Sequence, residues 1–141
     1  MKYSTEFTVR FGEIDPARVV YYPRFFHYFH QAFENWFGDA LGVPYWKALG
    51  EHNIGFPAVQ VETAFRRPLR YGEKVRVDME LLEIGKRSIT VRYTAVRLPD
   101  GEVSAEATIK TATIRNDTFK SVNIPDDWRE RFENFKSGSE K

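Results

Sequence analysis

Apolar residues recur in the first third of this chain at the spacing of a half-buried helix. The run begins at Pro23, which suits the first turn of a helix, and it stops at Gly42 and Pro44. Its apolar positions follow the i, i+3, i+4, i+7 pattern and are mostly aromatic: Phe25, Phe26, Phe29, Ala32, Phe33, Trp36, Phe37, Ala40 and Leu41. The pattern therefore predicts one long aromatic helix, followed by a short second helix from Tyr45 to Leu49.

Outside this segment the pattern changes to the two-residue alternation of β-strands. Residues 3–11 are predicted to form a first strand, and residues 119–124 a short edge strand. Four longer alternating runs lie between them, at 59–66, 75–81, 89–95 and 103–114. A final helix is predicted from 125 to 135. One long helix and several long antiparallel strands predict an α+β fold, in which the sheet wraps around the central aromatic-rich helix.

Length and composition limit the classes of protein to which this chain can belong. The 141 residues fit one domain, 1–136, with 137–141 expected as a disordered tail. The 21 basic and 20 acidic residues nearly cancel, so we expect no nucleic-acid partner held through its phosphates. No apolar run approaches the roughly 20 residues that cross a bilayer. Because the first residues lack a secretion signal and there is no cysteine, we expect a cytoplasmic protein without a membrane partner or a cysteine nucleophile.

The stretch that precedes the long helix carries the candidate chemistry. Asp15 and Tyr22 each stand before a proline, which disfavours the helical conformation for both residues. Tyr22 takes the N-cap position, where its side chain cannot cap, so the helix start is expected to keep unsatisfied N–H groups. Such donors, together with the helix dipole, can polarise a carbonyl beside the Asp15 carboxylate, which is a hydrolytic arrangement. The alternative is that Asp15 only closes a turn and water fills the helix terminus.

Residues 11–23 have the sequence FGEIDPARVVYYP, which resembles the signature before the central helix in the 4-hydroxybenzoyl-CoA thioesterase family. The chain is similar to these hot-dog-fold acyl-CoA thioesterases over nearly its whole length. The resemblance implies a hot-dog fold and hydrolysis of a CoA thioester with an aryl or short acyl group, without a metal or organic cofactor. It makes Asp15 the catalytic carboxylate, as nucleophile or as general base, and it makes the backbone N–H of Tyr22 the donor to the carbonyl.

The same resemblance implies a role for two basic residues, and the chain departs from the family pattern at two positions. Lys86 and Arg87 match the basic segment that holds the phosphates of coenzyme A, although a charged turn between strands is the alternative. The family often has Gly where Arg18 stands, and many relatives have His where Tyr22 stands. Arg18 could crowd the pocket or pair with Asp15 and lower its pKa.

The oligomeric state and several competing functions stay open at this point. Exposed sheet edges favour pairing between subunits, so we expect a homodimer or homotetramer. His27, His30 and Glu34 have helical spacing that could hold a metal, and either histidine could serve a hot-dog hydratase or dehydratase if it faced the substrate tunnel. A non-catalytic acyl-CoA-binding module, with a structural Asp15, is the remaining alternative.

Overall fold

The computed structural model of the protein describes residues 1–138. Over this range the helices and strands follow one another in nearly the predicted order. They are β1 (Lys2–Thr8), α1 (Arg24–Trp36), α2 (Tyr45–Leu49), β2 (Ile54–Gly55), β3 (Ala58–Phe65), β4 (Lys74–Ile84), β5 (Ser88–Arg97), β6 (Glu102–Ala112), β7 (Ile114–Arg115) and α3 (Asp126–Ser137). The predicted α+β fold class is confirmed.

A five-stranded antiparallel sheet forms the body of the molecule, in the order β1-β4-β5-β6-β3. Alternate residues of β4 are buried, and these are the apolar positions of the sequence pattern. Because successive side chains point to opposite faces, the charged residues between them lie on the outer face of the sheet. The inner face of the sheet is therefore the one that covers the central helix.

Helix α1 packs its aromatic stripe against the inner face of the sheet. Phe29 is completely buried, and its ring lies 5.3 Å from that of Tyr93 in β5. Burying a side chain of this size contributes about 1.5–3 kcal/mol. Since six of the thirteen residues of α1 are buried in this way, tertiary packing is what holds the helix in place.

Both ends of the long helix differ from the sequence prediction. The N-cap is Pro23 rather than Tyr22, and the first helical residue is Arg24. At the other end, the final predicted turn is a wider π-helical turn, Phe37–Leu41, closed by Gly42 at a φ of 82°. The π turn keeps Phe37 and Leu41 buried while the chain leaves the helix.

Three further boundaries correct the sequence prediction. The first strand ends at Thr8, because Phe11–Glu13 forms a short 3-10 turn. The predicted strand at 119–124 is wrong, since the β pairing of this segment within residues 1–138 is limited to an isolated bridge between Ser121 and Ile114. Helix α3 continues through Ser137, the first residue of the predicted tail, and Gly138 caps it. Residues 139–141 of that tail lie outside the described residues.

Strand β3 leaves an apolar edge of the sheet uncovered. It pairs only with β6, and its other edge has no strand partner among residues 1–138. Val59, Val61 and Phe65 are 59%, 45% and 42% exposed, although the alternating pattern is typical of buried positions. An edge strand with exposed apolar side chains is a template for pairing with another chain.

Candidate active site

The loop that carries Asp15 is a tight hairpin rather than an irregular connection. The N–H of Arg18 donates to the carbonyl of Asp15 at 2.8 Å, and the N–H of Asp15 donates to the carbonyl of Val19 at 2.9 Å. Arg18 adopts a left-handed φ of 68° at the end of the turn. This conformation costs a non-glycine residue about 1–2 kcal/mol. The left-handed backbone therefore explains why glycine suits this position. The sequence pattern did not reveal this conformation.

One oxygen of the Asp15 carboxylate holds the turn, and the other is available. Oδ1 accepts a hydrogen bond of 2.8 Å from the N–H of Ala17, the usual way in which an aspartate closes a turn. No other group within residues 1–138 donates to this carboxylate, so of the two possibilities raised for Arg18, the pairing with Asp15 does not form. Turn closure and chemistry are therefore compatible at Asp15, because the hydrogen bond to Ala17 fixes the carboxylate without occupying its second oxygen.

The helix start offers one free backbone donor instead of several. The N–H groups of Arg24, Phe25 and Phe26 donate to the carbonyls of residues 21, 22 and 23, at 2.8, 3.2 and 3.1 Å. The prediction of a row of unsatisfied N–H groups is therefore wrong for these three residues. The N–H of Tyr22 has no acceptor in the described part of the chain. An unpaired donor beside a helix start can stabilise negative charge on a substrate oxygen.

Backbone hydrogen bonds fasten this loop to the segment that leads into β4. The N–H of Val20 donates to the carbonyl of Leu69 at 2.8 Å, and Val19 forms a bridge with Arg70. Upstream, the N–H of Val9 donates to the carbonyl of Glu73 at 2.9 Å. Asp15 and Tyr22 thus belong to one braced loop, at the end of the sheet where β4 begins.

An aromatic cavity of about 430 Å³ lies between α1, α2 and the inner side of the sheet. Its walls include Phe26, Phe29, Phe33, Tyr45, Phe56 and Tyr93. Ring contacts connect the cavity wall to the loop, since Phe65 lies 5.4 Å from Tyr22 and 6.3 Å from Phe26. A continuous series of ring contacts therefore runs from Tyr22 through Phe65 to Phe26 in the cavity wall.

Two phenols supply polar groups to this cavity. Burial raises the pKa of Tyr93, with a smaller contribution from Tyr45 nearby. Burial also raises the pKa of Tyr45 to about 12, helped by the charge of Glu34. Both phenols therefore stay protonated at neutral pH and can donate hydrogen bonds. Sequence reasoning missed this role, because nothing in the pattern distinguishes either tyrosine from the other aromatic residues of the core.

Lys86 and Arg87 lie at the opposite end of the sheet from Asp15, in the turn between β4 and β5. The Nε of Arg87 donates to Oδ1 of Asn123 at 2.9 Å, and the carbonyl of Lys86 accepts from the N–H of Ile124 at 3.0 Å. The ten residues of β5 separate this turn from the Asp15 end, a span of roughly 30 Å. A single protomer thus does not bring the two predicted sites together.

The histidines of α1 contact neighbouring polar side chains. His27 lies 3.2 Å from Gln31, and the Nε2 of His30 lies 3.1 Å from Oε2 of Glu34. His30 also lines the aromatic cavity, whereas His27 does not. Within residues 1–138, no group of three metal-binding side chains is arranged to hold an ion. No helix of the described chain has the length and apolar character needed to span a membrane.

An antiparallel sheet wrapped around a central helix is a fold that this chain shares with a known class of enzyme. The chain belongs to the thioesterase-like superfamily, whose family profile matches residues 9–132. The predicted hot-dog fold and the predicted thioesterase family are confirmed, and relatives in this comparison are named as hydrolases of CoA thioesters.

Two named relatives are similar to this chain over most of their length. A 1,4-dihydroxy-2-naphthoyl-CoA hydrolase from Prochlorococcus marinus is 29% identical over 125 residues, which cover 83% of this chain and 78% of the relative. A 4-hydroxybenzoyl-CoA thioesterase from a Pseudomonas species is 23% identical over 131 residues, covering 86% and 91%.

Solved structures share the fold over nearly the whole chain. A 1,4-dihydroxy-2-naphthoyl-CoA thioesterase from Synechocystis superposes with a TM-score of 0.84 at 19% identity, covering 95% of this chain and 97% of that one. A gentisyl-coenzyme A thioesterase gives a TM-score of 0.81 at 25% identity, covering 94% and 100%.

Proposed function

We propose that this enzyme hydrolyses coenzyme A thioesters of an aromatic acyl group, in the cytoplasm and as a homo-oligomer. One observation carries the proposal: within the described residues, the loop holds a carboxylate with a free oxygen and a backbone N–H without an acceptor. Both groups are braced by hydrogen bonds that leave these two atoms available. Fixed groups of this kind act on a substrate without reorganising during the reaction.

In the proposed mechanism, the carbonyl oxygen of the thioester accepts a hydrogen bond from the N–H of Tyr22. Asp15 either attacks the carbonyl carbon, releasing the CoA thiolate and leaving an acyl anhydride for water to hydrolyse, or takes a proton from an attacking water. In both routes, negative charge develops on the carbonyl oxygen. A prepositioned donor at such an oxygen contributes about 3–4 kcal/mol.

The cavity supports an aromatic acyl group. Its aromatic walls offer stacked and edge contacts to a planar ring, and such pairs contribute about 0.5–1.5 kcal/mol beyond area burial. Tyr45 and Tyr93 supply donors for a polar substituent on that ring. The relatives named for naphthoyl, hydroxybenzoyl and gentisyl thioesters support the same class of acyl group.

The location of Lys86 and Arg87 supports a homo-oligomer in which the partner binds the phosphates. In an antiparallel pairing of two β3 strands, the Ala58 end of one strand would lie beside the Phe65 end of the other. Through β6, Ala58 is in register with Ile89, next to the Lys86–Arg87 turn. Such a dimer would bring that turn of one protomer to the Asp15 end of its partner, and it would cover the exposed apolar edge.

A panel of aryl and aliphatic CoA thioesters, followed by release of the free thiol, tests this function. We expect turnover to be fastest with aryl groups and to depend on Asp15. Binding without turnover across the panel would identify the protein as an acyl-CoA-binding module. Turnover of short aliphatic thioesters at the same kcat/KM as aryl thioesters would contradict the role assigned to the cavity.

A hydratase or dehydratase is the second candidate, because His30 lines the cavity and contacts the carboxylate of Glu34. A histidine and a carboxylate could act there as acid and base on an acyl-CoA. Measuring hydration of an enoyl-CoA with wild type and His30→Ala separates the two candidates. Hydration that is lost in His30→Ala, combined with no release of thiol, would favour this candidate over hydrolysis.

A further inference from the structure

We infer that Glu13 and Tyr28 form a positioning pair that holds the Asp15 carboxylate and the Tyr22 amide in their reactive geometry. The inference rests on the proposed function, because it assigns the two residues to the support of that site. Neither residue is expected to touch the substrate. Their role is to fix the loop to the central helix.

Three hydrogen bonds converge on Glu13. Its Oε1 accepts one from the hydroxyl of Tyr28 at 2.6 Å and a second from the N–H of Arg10 at 2.8 Å. Its backbone carbonyl accepts a third, at 3.2 Å, from the N–H of Tyr21. Glu13 thus joins the end of β1, the helix and the residue before Tyr22, and it stands two residues before Asp15.

Tyr28 gives this connection a rigid anchor. Its side chain is 1% exposed, and its ring packs against Phe7 at 5.7 Å and Phe25 at 6.3 Å. Burial, followed by the hydrogen bond to Glu13, raises the pKa of Tyr28. The hydroxyl therefore remains a proton donor at neutral pH, and its ring packing would survive removal of the oxygen.

The pair lies away from the proposed acyl cavity. Glu13 and Tyr28 line a separate polar cleft of about 570 Å³ between β1 and α1, together with Glu6, Arg10, Gln31 and Glu34. Residues that line the aromatic cavity do not include either member of the pair. An effect of this pair on turnover would therefore pass through the position of the loop.

Catalysis is sensitive to such positioning. A displacement of about 1 Å at reacting groups can cost on the order of a hundredfold in rate. Loosening the loop should lower kcat, because the carboxylate and amide must meet the same thioester group. KM should change little, since the cavity and the phosphate contacts remain.

Single and double variants test the pair. We expect Tyr28→Phe to lower kcat about tenfold, as one buried hydrogen bond is lost, with KM within about twofold of wild type. Glu13→Gln keeps an oxygen acceptor and should retain most of the activity, whereas Glu13→Ala should lose more than Tyr28→Phe. Adding Tyr28→Phe to Glu13→Ala should cause no further loss, because the two residues act through one bond.

Tyr3→Phe is the matched control, because the Tyr3 hydroxyl also donates to a carboxylate, that of Asp39, away from the loop. It should leave kcat unchanged. If Tyr28→Phe and Glu13→Ala keep the wild-type kcat, or if Tyr3→Phe lowers kcat equally, the inference is overturned.

Hydrogen exchange separates this inference from the proposed function. In Tyr28→Phe, the amides of Asp15, Val20 and Tyr21 should exchange faster than in wild type, whether or not the enzyme turns over. If the wild type hydrolyses no CoA thioester, the proposed function fails. The exchange result then shows whether Glu13 and Tyr28 hold the loop in position. Unchanged exchange would then overturn the inference.

Discussion

The two ends of the sheet contain turns of opposite character. At the Asp15 end, backbone bonds brace a hairpin in which two polar atoms, a carboxylate oxygen and the Tyr22 N–H, have no partner among residues 1–138. At the other end, the Lys86–Arg87 turn uses its polar atoms to hold the segment that leads into α3: Arg87 binds Asn123, and Arg129 binds the carbonyl of Gly85. The first end has the features of a reaction centre, and the second those of a structural anchor with surplus charge.

This difference shows why charge alone is a weak guide to a binding site. Polar atoms that are held on a rigid support without a protein partner can meet a substrate without reorganising. Arg87, in contrast, already has a structural partner. The proposed phosphate contact at this end therefore depends first on the ammonium of Lys86, with Arg87 contributing if it can bind both Asn123 and a phosphate.

The largest expected effect comes from Asp15→Asn. The amide oxygen can still accept from the N–H of Ala17, so the turn should persist, but the nucleophile or base is lost. We expect kcat to fall on the order of 10²–10⁴-fold. Steady-state kinetics with an aryl-CoA thioester measures this, together with thermal unfolding. Asp127→Asn, in the first turn of α3, is the control and should keep full activity; wild-type kcat in Asp15→Asn would refute its role.

A smaller effect is expected at the other end of the sheet. Replacing Lys86 and Arg87 together with Ala should raise KM for the CoA thioester about tenfold, because charge-assisted hydrogen bonds to phosphate are lost. The same variant should show an unchanged KM for an acyl-pantetheine thioester that lacks the nucleotide. Of the single variants, only Arg87→Ala should lower thermal stability, through the lost bond to Asn123. An unchanged KM with the full substrate would contradict the phosphate-binding role of both residues and leave them with a structural role.

Arg18→Gly tests the turn at the Asp15 end of the sheet through the stability of the protein. Removing the side chain relieves the left-handed φ of 68°, so we expect a gain of about 1 kcal/mol in the free energy of unfolding. Urea unfolding measures this gain. Arg18→Ala removes the same charge but keeps the Cβ atom, so it should show no comparable gain. A large change of kcat in both variants would instead reveal an electrostatic role of Arg18 at Asp15.

The smallest effect concerns the hairpin between β5 and β6, at the Asp15 end of the sheet. Arg97 donates to the Asp100 carboxylate and to the carbonyl of Pro68, and its hydrogen bonds lower the pKa of Asp100 from 3.8 to about 2. Because the pKa of Asp100 is lower in the folded state than in the unfolded chain, the charged carboxylate stabilises the fold at any pH above the unfolded pKa. This contribution is lost as the pH falls through 3.8 toward 2. Asp100→Asn should therefore be slightly less stable than wild type at pH 6, with the difference shrinking at pH 3 or in 1 M salt. A difference that grows on acidification would contradict the ion pair.

The sequence predicted most of the fold because its signals were local and mutually consistent. The spacing of Phe25, Phe29 and Phe33 identified α1, and the alternation in β4 and β5 identified the sheet. The strand predicted at 119–124 was wrong because β propensity cannot create a sheet partner. Phe119 instead has a left-handed φ of 61° and is 72% exposed.

The candidate site was only partly predictable, because only its motif is a local signal and its other contacts depend on the fold. Asp15 was identified by its motif, and it stays a prediction as the catalytic carboxylate. The turn bonds that occupy the N–H groups of Arg24 and Phe25 depend on backbone geometry that the residue types do not specify. Glu13 and Tyr28 stand fifteen residues apart, so their contact could not be anticipated without the fold.

The separation of the two turns along β5 has a consequence for mixtures of defective chains. In the proposed dimer, each reaction centre takes its carboxylate from one subunit and its basic turn from the other. A hybrid of an Asp15→Asn chain with a Lys86→Ala, Arg87→Ala chain would hold one doubly damaged centre and one that is entirely intact. Two preparations that are each impaired could thus rescue one another after subunit exchange.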